Sequence, residues 1–189
     1  VKPDIGARGA TVKIVRKGRV RWKPPAFESD VYEGSSNLLV QDFVYTGPWP
    51  TSYRVQTLFG EALACVQVQA DPDRPPLLDR YAFKESGGGL SIVASSKGCR
   101  LSLCDDAELM AIAERAHTLF PECAMLGVDL IREHPSGDVY VLEVNSRGGT
   151  WMLSTPRLNE ACGANVAEQR DGLERAGRLL ADAAARLAE

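Results

Sequence analysis

The chain has 189 residues, 44% of them hydrophobic, and a formal charge of -3 at pH 7. That is enough apolar material to bury a substantial core, as one domain or two small lobes. The acidic balance argues against a nucleic-acid partner, and no run is long and apolar enough to span a membrane. A cytoplasmic protein without nucleic-acid or membrane partners is therefore the default.

The chain opens at Val1-Lys2-Pro3 with no initiator Met, which reads as the later part of a longer protein. Gly6 and Gly9 follow in a loop where backbone N–H groups can approach phosphate oxygens with no Cβ in the way. No Gly-Lys-Ser/Thr follows, so this is not a Walker A loop, and an ordinary glycine turn is the competing reading. Val12 to Val15 and Val20 to Lys23 predict a hairpin around Lys17-Gly18-Arg19, with a short helix near Ser29 to Gly34. The apolar run Leu38 to Tyr45 predicts a strand, broken by Thr46-Gly47-Pro48-Trp49-Pro50.

Two further strands are expected at Tyr53 to Phe59 and Ala62 to Gln69, joined at Gly60-Glu61, then loops at Asp71 to Pro76 and Gly87 to Gly89. Asp105 and Asp106 predict the cap and first turn of a helix to Phe120, with Leu109, Ile112, Ala113, Ala116, Leu119 and Phe120 on its apolar face. Strands follow at Ala124 to Ile131 and Val139 to Asn145. A last helix, Asn165 to Leu187, carries Leu173, Ala176, Leu180, Ala183 and Leu187 on one stripe. Hairpins separated from helices give an α+β class. The five cysteines (65, 99, 104, 123 and 162) form no C-x-x-C pair and read as reduced thiols, and His117 and His134 as structural or surface residues.

The segment His134-Pro135-Ser136-Gly137-Asp138 predicts a three-residue hairpin loop, with Pro135 first in a type I turn and Gly137 in the left-handed region. Pairing His134 with Asp138 sets Asp129 opposite Glu143, with Asn145 on the same face. Two opposed acids repel unless a cation sits between them, and carboxylate and amide oxygens suit Mg²⁺. Asp129, Glu143 and Asn145 are thus the candidate metal ligands. Two solvated acids on an open sheet face are the alternative.

Taken in order, Val1-Lys2-Pro3 with Gly6 and Gly9, Leu39 to Val44, Tyr53-Arg54-Val55, Gly127 to Leu130 and Leu142 to Ser146 resemble the ATP-grasp superfamily. The branch is that of ribosomal-protein glutamate ligases and D-alanine–D-alanine ligases. The resemblance implies two lobes, residues 1–45 and 46–189, each with an antiparallel sheet and helices, and a nucleotide between them. It implies ATP and Mg²⁺ as cofactors and a ligase joining a carboxylate to an amine through an acyl phosphate. Lys2 and the Gly6–Gly9 loop would meet the phosphates, and Asp42, Phe43 and Val44 the adenine. Arg54 would stabilise the transferring phosphoryl group, and Arg147 would hold a substrate carboxylate or phosphate. The implied partners are a small-molecule or peptide carboxylate and an upstream domain of the same protein, and an oligomer is compatible. The position usually filled by Glu at the hinge is Asp42 here, and no acid stands between Thr46 and Tyr53. A regulatory nucleotide-binding module and an ATP-grasp kinase are the alternatives.

Overall fold

Residues 2–3, 18, 38–73, 76–78, 99–146, 156, 160 and 166–188 are described in the computed structural model. The glycine loop with Gly6 and Gly9, the first predicted hairpin, the helix near Ser29, the Gly87 loop, Arg147 and Cys162 lie outside these residues. Lys2–Pro3 (β1) pairs antiparallel with Leu38–Leu39 (β2) in a two-stranded ladder. The strand expected from Leu38 to Tyr45 thus ends at Leu39, and the backbone beyond it joins no ladder.

Five antiparallel strands form the main sheet: Thr51–Leu58 (β3), Glu61–Ala70 (β4), Cys99–Cys104 (β5), Met125–Arg132 (β6) and Val139–Asn145 (β7), in the order β5-β4-β3-β6-β7. With helices Ala107–His117 (α1) and Val166–Leu187 (α2), the class is α+β. The central strand β3 is rich in β-branched and aromatic residues, and its last four residues are buried. It turns into β4 through Phe59-Gly60, one residue earlier than expected, with φ of 49° and 92°. A two-residue hairpin loop needs positive φ at both positions, which suits Gly60 and strains Phe59.

Opposite the end of β3, β4 carries an extra residue at Leu63, a bulge between the pairs Gln56–Ala64 and Thr57–Ala62. The Ala62 backbone is tied from both faces: its N–H donates to Glu114 Oε1 of α1 (2.9 Å), and its carbonyl accepts from Arg175 Nη1 of α2 (2.8 Å). The helices therefore lie on opposite faces of the sheet. On the α1 face, Val55, Ala62, Cys65, Leu126, Val128 and Leu130 pack with Leu109 and Ala113. On the α2 face, Leu58, Leu63 and Ala64 pack with Ala176 and Leu179.

Asp106, not Asp105, caps α1, its Oδ1 accepting from the N–H groups of Glu108 and Leu109 at 3.1 Å each. The helix ends at His117, three residues short of the expected Phe120. Pro121 disfavours helical backbone at Phe120, so the chain closes in turns and leaves Leu119 75% exposed. His117 is buried and structural, with Nδ1 2.7 Å from Thr57 Oγ1 and Nε2 2.8 Å from the Cys123 carbonyl. The expected stripe on α2 is also corrected. Gly172, Ala176 and Leu179 are buried, whereas Leu173, Leu180 and Leu187 are exposed. Small residues at 172 and 176 let the helix approach the sheet, and the larger leucines turn away.

Candidate functional site

Three adjacent strands bring four polar side chains together beside the α2 contact. Arg54 on β3 lies directly across from Asp129 on β6, and Asp129 directly across from Glu143 on β7. Arg54 and Leu58 share one face by strand alternation, so the cluster is on the α2 side.

The Arg54 guanidinium grips Asp129 with two bonds, Nε to Oδ1 and Nη2 to Oδ2, each 2.6 Å. This is the two-pronged geometry that makes Arg–carboxylate pairs strong. Asn145 Nδ2 donates to Asp129 Oδ2 and to Glu143 Oε1, both at 3.2 Å. The opposed acids are thus held by a cation and an amide from the chain itself. Burial pushes the Asp129 carboxyl above the ordinary carboxylate value and Glu143 adds to the push, while Arg54 pulls the other way. The bonds to Asp129 hold the Arg54 guanidinium still more firmly protonated than usual.

The register that makes this cluster does not come from the expected turn. The loop has four residues, 134–137, closed by Glu133 N–H to the Asp138 carbonyl at 2.8 Å. The His134–Pro135 peptide is cis, and Gly137 is left-handed at φ 85° as expected. That longer loop alone shifts the pairing by one residue. A bulge between Asp129 and Leu130 shifts it back, placing Leu142 as the extra residue and Asp129 opposite Glu143.

The hairpin is fixed at its turn by two contacts that sequence reasoning missed. Arg132 donates to Glu108 Oε2 (2.6 Å), Asp106 Oδ2 (2.7 Å) and the Gly137 carbonyl (3.0 Å), tying the turn to the capped end of α1. On the other side Tyr45 is buried, its carbonyl accepting from the His134 N–H and its hydroxyl donating to the Leu77 carbonyl, each at 2.7 Å. Asp42, Phe43 and Val44 therefore approach the turn end of this hairpin, with Asp42 exposed and Phe43 and Val44 half-buried. Lys2 is described only as backbone of β1.

One further residue was not anticipated. Gln56, two positions along β3 from Arg54, is 0% exposed, and neither polar atom of its side chain has a hydrogen-bond partner among the described residues. It faces Gly127, which faces Asn145, so it occupies the next row of the same sheet face. Strand β3 carries Thr, Ser, Arg and Gln beside Val and Leu, so no signal in the sequence set Gln56 apart.

Among the described residues, no three His, Cys, Asp or Glu side chains form a metal-binding group. In this cluster the acids suited to a hard cation are Asp129 and Glu143, with the Asn145 amide beside them. That donor set fits Mg²⁺, which binds through one or two carboxylates and completes its shell with water and phosphate oxygens. It does not fit a zinc centre closed by thiolates and imidazoles. Binding through Asn145 requires its Oδ1 where Nδ2 now lies, a half-turn of the amide.

No family model matches the chain, and no curated protein matches it. Among solved structures, the chain is similar to ATP-grasp ligase PsnB complexed with minimal precursor, at 14% identity and a TM-score of 0.43, over 75% of this chain and 36% of that one. It is similar to D-alanine–D-alanine ligase from Bacillus anthracis complexed with ATP, at 14% identity and a TM-score of 0.41, over 76% and 45%. Macrocyclase MdnC from Microcystis aeruginosa, bound with precursor peptide MdnA, is similar at 14% identity and a TM-score of 0.36, over 58% and 30%. The chain spans less than half the length of each of these proteins.

Proposed function

We propose that this chain is the nucleotide- and metal-binding part of an ATP-grasp ligase, which joins a carboxylate to an amine (or another nucleophile) at the expense of ATP, through an acyl phosphate. The observation carrying this reading is the contact set of Arg54, Asp129, Glu143 and Asn145 on one sheet face. Residues 1–45 are read as the remainder of a small lobe and 46–189 as the large lobe, with the nucleotide between them.

Asp129, Glu143 and Asn145 would hold Mg²⁺, which neutralises phosphate charge when bound. Phosphoryl transfer needs little covalent help from a protein, so catalysis rests on positioning and on fixed charge. Arg54 has the fork geometry to stabilise charge on a transferring phosphoryl group once a cation replaces it at Asp129. Its present grip on Asp129 opposes the effect of burial on that carboxyl and holds it aligned. Asp42, Phe43 and Val44 would meet adenine, Lys2 with Gly6 and Gly9 the phosphates, and Arg147 a substrate carboxylate or phosphate. The substrate would be a small-molecule or peptide carboxylate.

The test is release of ADP and phosphate by the full-length protein against panels of amino acids and peptides, with and without Mg²⁺. Equal release of ADP and phosphate that depends on both substrates supports the ligase. ADP without free phosphate points to a kinase. Metal-dependent nucleotide binding without turnover points to a regulatory module.

A further inference from the structure

On the opposite face of the sheet, two cysteines face each other. Cys65 on β4 and Cys104 on β5 are direct partners across the antiparallel ladder. Both are free thiols, and their Sγ atoms are 2.9 Å apart. Opposed residues in such a ladder have Cα atoms about 4.5–5.5 Å apart, inside the roughly 4.4–6.8 Å that a disulfide spans. Bond formation therefore asks for a small movement of two side chains and none of the backbone. Neither remaining described cysteine is so placed: Cys99 lies at the far end of β5 opposite Ala70, and Cys123 lies beyond α1.

We propose that Cys65 and Cys104 are a reversible oxidative modification site, coupled by a peroxide into a cross-strand disulfide that fixes the edge strand β5 to β4. The two thiols differ in the way the chemistry requires. Cys104 is partly exposed and Cys65 is 1% exposed. The hydrogen bond between the two sulfurs lowers the pKa of Cys104, whereas that bond and burial raise the pKa of Cys65. Cys104 is thus the sulfur that meets the oxidant. Its thiolate attacks one peroxide oxygen and breaks the O–O bond, giving a sulfenic acid and, after protonation, one water. The Cys65 sulfur then attacks the sulfenyl sulfur, the S–O bond breaks, and the departing hydroxide takes the Cys65 proton as a second water. Two thiols lose two electrons, and the peroxide gains them.

The experiment is thiol counting and non-reducing peptide mapping of the purified chain before and after hydrogen peroxide, and again after dithiothreitol. The five thiols should fall to three, with Cys65 and Cys104 linked, and return to five on reduction. The oxidised chain should melt roughly 5–15 °C higher, because the bond closes a loop across a separation of 39 residues. In Cys65→Ser, dimedone should label Cys104 as the trapped sulfenic acid. Retention of five thiols after peroxide, or mapping of the bridge to Cys99, Cys123 or Cys162, overturns the proposal. Absence of the dimedone label at Cys104 overturns the order of its steps.

Discussion

Replacing Arg54 with Met keeps the aliphatic bulk of the side chain and removes the cation from Asp129. The side chains of the pair are 25% and 19% exposed, so it is mostly but not fully dry. Removing one partner of a fully buried pair costs about 3–5 kcal/mol, and partial exposure with solvent screening lowers that. Arg54→Met should therefore lose about 2–3 kcal/mol, read as a lower urea midpoint at pH 7 and low salt without divalent cations. Most of this is the penalty of an unpaired buried carboxylate rather than the worth of the contact. Adding Asp129→Asn in the same chain should then recover most of the loss. A loss below about 0.5 kcal/mol, or a double variant that loses the sum of the two singles, would mean that Arg54 does not offset the buried charge of Asp129.

Four other outcomes follow from the geometry. Gln56→Leu removes a buried amide without partners and should be neutral or stabilise by about 1 kcal/mol in chemical denaturation; a loss of nucleotide affinity would instead tie Gln56 to the ligand. Phe59→Asn should stabilise by about 1 kcal/mol in the same assay, since Asn tolerates the left-handed backbone that Phe59 holds at φ 49°. Thr57→Val takes away the partner of His117 Nδ1 and should cost about 1–3 kcal/mol, measured as a fall in melting temperature. The raised pKa of Asp129 gives a pH dependence: its stabilising contribution is complete below the unfolded value of 3.8 and is lost as pH rises through the higher folded value. Urea midpoints of wild type relative to Asp129→Asn should show this difference. Cation affinity, titrated against pH, should begin to fall at a higher pH than an ordinary carboxylate would give, because protons compete for the same oxygens.

Local signals were the legible ones. The left-handed Gly137 and the bounds of β7 follow from chemistry within a few residues and can be read without the rest of the chain, whereas the cap of α1 falls on Asp106, one residue after the expected Asp105. The facing of Asp129 and Glu143 was legible only in its outcome. The turn has one more residue than the proline and glycine suggest, and a bulge at Leu142 restores the register. Strand patterning cannot reveal a bulge inside an apolar run, because Val141 and Leu142 are equally suited to ladder and bulge. Strand β5 was missed although Arg100 and Ser102 alternate with Leu101 and Leu103. On α2, periodicity favoured the leucines, yet packing against Leu58 and Ala64 selected the smaller side. The tie between Arg54 and Asp129 joins residues 75 positions apart, and no local pattern carries it.

The Arg54–Asp129–Glu143–Asn145 face is proposed to serve Mg–ATP. Its most direct test is magnesium-dependent nucleotide binding and ADP release by the full-length protein and its Asp129→Asn, Glu143→Gln variant, with folding checked by urea titration. The variant should bind Mg–nucleotide at least about tenfold more weakly and lose ADP release by about 100-fold or more, while remaining folded. Full ATP-dependent activity in that folded variant would rule out this role for Asp129 and Glu143.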